Sequence, residues 1–280
     1  MIIDFHTHIF PNDIRSQRES YFHDEPMFKL LYGAPKSKMV GMDEMVAAMD
    51  KDGVNKSVVF GFPWTRADTF KKHNDYVMEA TCRYPDRLIG FGCFDLFHSN
   101  AAAEAQRCLA GGLKGIGELA AYQGGLGADA CKRLKPIMDL CRDAQRPVMI
   151  HTNEPVGHSY PGKTPNTLAQ IYDLIKMFPE NRIVLAHWGG GLLFYALLKK
   201  EVKDILRNVF FDTAASPFLY ERQIFPIAVQ FVGLRKILFG SDYPLIAPSR
   251  YFKQLQKSGL DTKAIHANCG ENAGNLIGRH

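Results

Sequence analysis

The sequence predicts an α/β protein closed into a (β/α)8 TIM barrel, and three observations carry that prediction. Short apolar runs alternate with amphipathic stretches along almost the whole chain, the pattern of parallel strands joined by helical crossovers. The 280 residues, 46% of them hydrophobic, suit one barrel of roughly 250 residues better than two small domains. Residues able to bind a metal close several of the apolar runs, each before a Gly- or Pro-containing loop. Parallel strands arranged in a ring would bring such distant ends together.

The elements follow in order. Ile2 to His8 opens as a strand, and residues 10–41 form a long irregular segment rich in Pro, Ser and charge. Asp43 is the expected cap of a helix through about Lys51, with Met45, Val46 and Met49 on one face and Gly53 as its stop. Residues 57–62 read as the second strand, 73–84 as a helix and 88–94 as the third strand. Ser99 caps an alanine-rich helix ending at Gly111–Gly112. Residues 114–119 form the fourth strand, and 129–145 a helix in spite of Pro136. The fifth strand ends at His151 and the sixth at His187, with helices over 167–178 and 192–206. Residues 209–212 are the seventh strand, 220–232 a helix and 236–240 the eighth strand. One domain over 1–280 is expected, with 10–41 inserted as a lid.

Charge and cysteine content narrow the class. Lys and Arg number 34 against 29 Asp and Glu, a formal charge of +5. The basic residues are scattered, the densest pairs being Lys71–Lys72 and Lys199–Lys200. That argues against a nucleic-acid surface and leaves small acidic substrates open. Six cysteines show no CxxC spacing, as expected of reduced thiols in a cytoplasmic protein. No leader-like N-terminus is visible, and no apolar run approaches the ~18 residues of a membrane span. A homo-oligomer is compatible with all of this.

The candidate ligands are His6 and His8, then His151, His187 and Asp242, at the ends of strands one, five, six and eight. Residues i and i+2 of a strand share a face, so His6 and His8 can close on one ion. Imidazoles completed by a carboxylate suit a divalent cation, zinc first and manganese or another ion as alternatives. Blander readings stand beside these: His187 as a core histidine, Asp242 as a turn former before Tyr243–Pro244, and Glu118 as half of a structural salt bridge. His23, His73, His98, His266 and His280 end no strand and read as solvated or structural.

These residues resemble the amidohydrolase superfamily, in its compact branch of metal-dependent hydrolases and decarboxylases. The resemblance rests on His6-Thr7-His8, His151, His187-Trp188-Gly189-Gly190 and Gly240-Ser241-Asp242-Tyr243-Pro244, with a closing Glu271-Asn272-Ala273-Gly274-Asn275-Leu276. It implies that His6, His8, His151 and Asp242 hold the main ion and that Asp242 moves the proton. His187 would polarise a substrate carbonyl or bind a second ion. Glu118, near the end of strand four, is expected to reach the metal site, where it could bridge two cations about 3.5–4 Å apart.

The loops beyond the strands would line the pocket. Residues 10–41 could present Phe22, His23 and Phe28; Arg66 offers a guanidinium, and Asn153 and His158 offer polar groups, to a small, anionic substrate. The leading expectation is hydrolysis of a cyclic amide, lactone or ester by metal-activated water. The runner-up is non-oxidative decarboxylation of an aromatic or unsaturated acid, expected to need one ion and no Glu118. A metal-dependent nuclease is disfavoured by the scattered charge, and a non-catalytic binding protein by the complete set of ligands and base.

Overall fold

The structure is a computed structural model that describes residues 1–198 and 200–278, without the Lys200 side chain. Lys199, the Lys200 side chain and His280 therefore lie outside what the structure describes. Eight parallel strands run in chain order: β1 (Ile3–His8), β2 (Lys56–Phe60), β3 (Leu88–Gly92), β4 (Gly115–Leu119), β5 (Val148–Ile150), β6 (Ile183–Leu185), β7 (Val209–Asp212) and β8 (Ile237–Leu238). Every neighbouring pair is parallel. The ring closes where Phe5 N donates to Phe239 O (2.7 Å), Asp242 N to His6 O (2.9 Å) and His8 N to Tyr243 O (2.8 Å). The (β/α)8 expectation is correct, and the seam itself joins two of the candidate ligands.

Alternation along the strands sorts side chains into two layers. Val58, Phe60, Phe91, Cys93, Met149, Val184 and Leu238 fill the interior, while Val59, Ile116, Val148, Ile183, Leu185 and Phe211 face the helices. Ala273 and Leu276 of the last helix, Asn272–Ile277, join the interior cluster. They plug the end where the strands begin, since Asn272 Nδ2 donates to Ile237 O (2.7 Å).

Several helix borders differ from the expectation. The helix after β2 runs Ala67–Arg83, six residues earlier than read, because Thr65 N and Arg66 N both donate to the carboxylate of Glu25 (3.0 Å each to Oε1). That cap comes from a distant segment. Thr167, by contrast, caps Leu168–Met177 with its own hydroxyl in a box with Gln170. The helix expected over 192–206 is replaced by tight turns over His187–Leu197 and a short helix, Lys200–Ile205. Residues 10–41 contain three short helical segments, Asn12–Ser16, Arg18–Tyr21 and Pro26–Tyr32. Phe28 is fully buried there, 4.4 Å from the Trp64 ring. Among the described residues no helix is long and apolar enough to cross a membrane.

Candidate metal centre

Two irregular strands aim the first ligands. Phe5 belongs to the interior cluster, so strict alternation would turn His6 outward. A register shift between Asp4 and Thr7 resets the phase, and the His6 ring lies 5.1 Å from Phe60 inside the barrel. β4 has a similar shift between Ile116 and Leu119. Glu118, between them, reaches the same space, with its Oε2 3.6 Å from His6 Nε2.

His187 is placed by a different device. His187, Trp188, Gly189, Gly190 and Gly191 all have positive φ, a left-handed turn just beyond β6. Such a turn costs roughly 1–2 kcal/mol per ordinary residue; three glycines in succession avoid most of that. At Gly190 no side chain would fit, because a Cβ would stand 2.3 Å from Asn153 O. Trp188 anchors the turn by donating from Nε1 to Ser216 Oγ (3.0 Å).

The imidazoles are oriented by acceptors behind them. His6 Nδ1 donates to Asp212 Oδ2 (2.9 Å), His8 Nδ1 to Gly61 O (3.1 Å) and His187 Nδ1 to Ala214 O (3.1 Å). Each acceptor claims the proton, so each Nε2 turns its lone pair inward. His151 differs: its Nδ1 faces Glu118 Oε1 (2.8 Å) and its Nε2 faces Gly162 O (3.0 Å). Asp242 Oδ1 lies 3.4 Å from His8 Nε2 and 3.7 Å from His6 Nε2.

Among the described residues, three overlapping sets bring their ligand atoms within 4.8 Å: His6 with His8 and Glu118; His6 with His187 and Asp242; and Glu118 with His151 and His187. All six sequence-derived ligand candidates thus share one cluster. His151 joins it through Glu118.

The cluster fits a cation on two counts. His6 Nε2 is buried with no hydrogen-bond partner among the described residues, a costly arrangement unless something takes its lone pair. The surrounding charge also favours a positive centre. Burial lowers the pKa of His6, yet Glu118 and Asp212 outweigh it and raise the value to about 10. His187 rises to about 9, with burial opposed by the Glu118 carboxylate. Burial pushes Glu118 and Asp242 up, but the neighbouring imidazoles hold both below the usual carboxylate range. Cys93 is no competitor as a ligand: its Sγ donates to Glu118 O (3.1 Å), and burial keeps the thiol protonated.

The expected substrate-binding residues lie elsewhere or are already engaged. Arg66 is exposed, its Nη1 3.0 Å from Asp24 Oδ2. Asn153 is buried and braces its own loop, accepting from Thr164 N (2.8 Å) and Oγ1 (2.6 Å). His158 is exposed. His23 is exposed too, and Phe28 is core rather than lining. His73 is a buried structural histidine, bonded to Ile9 O (2.6 Å) and accepting from Trp64 Nε1 (2.8 Å).

Sequence reasoning missed Asp212, Asp4, Tyr32 and Tyr122. Asp4 accepts from Ser241 N (2.8 Å) and from Ser241 Oγ, tying β1 to the Asp242 loop. Asp212 had a legible signal, since an acid closing an apolar run is the form that singled out the other ligands. Tyr32 and Tyr122 had none.

Comparison with known proteins completes the picture. The model of a family described as Amidohydrolase matches residues 3–279. A 2-amino-3-carboxymuconate-6-semialdehyde decarboxylase from Dictyostelium discoideum is 21% identical, over 93% of this chain and 88% of that protein. Among solved structures, a 5-carboxyvanillate decarboxylase from Novosphingobium aromaticivorans, complexed with manganese and 4-hydroxy-3-methoxy-5-nitrobenzoic acid, superposes with a TM-score of 0.78. It is 16% identical, with 99% of this chain and 96% of that one covered. A dihydroxybenzoic acid decarboxylase from Polaromonas, with manganese and 2-nitroresorcinol, gives a TM-score of 0.71 at 17% identity, covering 99% and 96%. The hydrolysis expected from the ligands is corrected by these relatives, which are decarboxylases. The physical reason is that a ligand shell selects an ion, whereas the groups above it select the bond that breaks. Glu118 fails to discriminate for the same reason: it reaches the cluster in a chain whose relatives decarboxylate.

Proposed function

The chain belongs to this amidohydrolase family, and on that premise we propose that it is a divalent-metal-dependent, non-oxidative decarboxylase of a small aromatic or unsaturated carboxylic acid. The observation that carries the proposal is the meeting of Asp242 with the imidazoles of His6, His8 and His187 in one buried cluster, in a chain whose relatives release carbon dioxide. A divalent ion, which the family and the cluster support, would when bound supply positive charge for the substrate's anionic oxygens. The donor set of imidazole and carboxylate suits zinc and manganese alike.

His6, His8, Glu118 and Asp242 would hold the ion, with His151 contributing through its contact to Glu118. The reaction replaces a carboxylate on an sp² carbon by a proton: the C–H bond forms, the C–C bond to the carboxylate breaks, and its electron pair returns to the unsaturated system. Asp242 would deliver that proton. His187 Nε2, 3.4 Å from Glu118 Oε1, faces the same space and would steady the departing carboxylate. Residues 10–41, in this reading, are the cover that keeps bulk water from the site.

Asp242→Asn should cut carbon dioxide release by about 10²–10⁴-fold, with the circular dichroism spectrum unchanged. The assay follows CO₂ from hydroxybenzoates and from open-chain unsaturated acids, using protein loaded with manganese or zinc. An Asp242→Asn variant as active as the parent would remove Asp242 from the reaction.

A further inference from the structure

Above the cluster stands an aromatic wall made by three separate elements. Tyr32 ends the helix Pro26–Tyr32, Phe62 follows β2 and Tyr122 follows β4. Phe62 is the shared surface: Tyr32 meets it edge-on at 6.0 Å, and Tyr122 stacks on it at 6.3 Å with planes 20° apart. The Tyr122 ring is 5.9 Å from that of His151. Tyr32 also packs against Phe10 and Phe28, each 5.0 Å away. Both phenols are rigidly set, and both lie within the field of Glu118 and Asp242.

Their hydroxyls differ from those of three tyrosines that are engaged within the protein. Tyr76 accepts from Met42 N (2.8 Å), Tyr160 donates to Glu154 (2.9 Å), and Tyr251 donates to Ser241 O (2.8 Å). Neither Tyr32 nor Tyr122 has a hydroxyl hydrogen bond to a described residue. Burial, together with the two carboxylates, pushes both phenols up, and a phenol O–H can donate.

The nearby basic side chain of Arg18 is engaged with backbone, donating to Tyr32 O (3.2 Å) and Ser37 O (3.1 Å). Among the described residues, every ion pair that Glu118 and Asp242 make is with a histidine. Arg66 is taken by Asp24 and Lys163 by Glu154. A substituent oxygen on the substrate would therefore meet hydroxyl donors rather than a guanidinium or an ammonium.

We propose that Tyr32 and Tyr122 are specificity determinants of the site, a pair of phenolic donors that grip the oxygen substituent of a planar acid lying along Phe62. One donor is carried by the segment 10–41 and the other by the barrel, so a bound substituent joins the two. The site then prefers a flat, oxygen-substituted ring acid over an unsubstituted ring and over a flexible open chain. This inference rests on the decarboxylase reading for the reaction, though binding alone tests it.

The experiment is calorimetric titration of the manganese-loaded full chain with 2-hydroxybenzoate, benzoate and 2,4-hexadienoate. The wild type should bind 2-hydroxybenzoate at least about tenfold more tightly than benzoate, and hexadienoate more weakly than either. Tyr32→Phe and Tyr122→Phe should each shrink the first ratio, and the double variant should bring it near unity while leaving benzoate affinity unchanged. Equal binding of the two benzoates by the wild type would overturn the proposal. So would a ratio that survives both substitutions, or hexadienoate binding as tight as that of 2-hydroxybenzoate. If Tyr32→Phe disturbs the fold, seen by circular dichroism, the ratio in Tyr122→Phe alone decides. Carbon dioxide release from the same samples separates the two ideas. Discrimination in binding without CO₂ would sink the decarboxylase reading and keep this one. CO₂ release with an unchanged ratio in the Phe variants would do the reverse.

Discussion

One carboxylate, that of Asp212, does more to shape the site than any single ligand. Its Oδ2 accepts from His6 Nδ1 (2.9 Å), and its Oδ1 accepts from the backbone amides of His187 (2.8 Å) and Ala214 (3.0 Å). The same side chain thus fixes the tautomer of one imidazole and the backbone of another. Asp212→Asn can still accept from the two amides through its amide oxygen, while its NH₂ group would confront His6 Nδ1–H. Metal affinity should fall about 10–100-fold with little change in fold, as read by competition against a chromophoric chelator. Unaltered affinity would show that the His6 tautomer needs no help from Asp212. The six ligand candidates were legible because each is a metal-binding residue type near a strand end. The misplacement of Arg66 has a plain cause as well: its partner, Asp24, lies 42 positions away, beyond the reach of any local pattern.

Among the elements, the left-handed turn at 187–191 decides where the sequence reading failed. The apolar residues after Gly191 suggested a helix over 192–206, but positive φ at five consecutive positions sets the chain in another direction. Leu192 and Leu193 then pack as buried turn residues rather than as a helical stripe. Gly190→Ala should destabilise the protein by roughly 1–3 kcal/mol and displace His187, because its Cβ would strike Asn153 O at 2.3 Å. Gly191→Ala, whose nearest atom would lie 3.5 Å away, carries the backbone cost without the collision and should lose less. Urea midpoints for the two variants provide the check; equal losses would mean that the close approach at Gly190 is unimportant. The register shifts in β1 and β4 belong to this scale too. They re-aim His6 and Glu118, and a period-2 pattern contains no sign of where it will slip.

At the scale of the whole molecule, the candidate ligands hang from β1, β4 and the loops after β5, β6 and β8, so one ion would tie both sides of the barrel seam. A cation bound only by the folded chain stabilises it by mass action, about 2.7 kcal/mol at a hundredfold excess over Kd. Loading with manganese should therefore raise the melting temperature, and a chelator should reverse the rise; identical melting with and without metal would argue against a site spanning the seam. The number of strands, their order of appearance and the positions of six candidate ligands near strand ends were determined by the sequence alone. Those features repeat locally, as an apolar run, a polar terminus and a breaker. Only the tertiary structure decided which way each ligand turns, that Asp212 stands behind two of them, and that Tyr32 and Tyr122 meet across Phe62. Orientation, second neighbours and the shape of a pocket arise from contacts between residues far apart in the chain, and they leave no period in it.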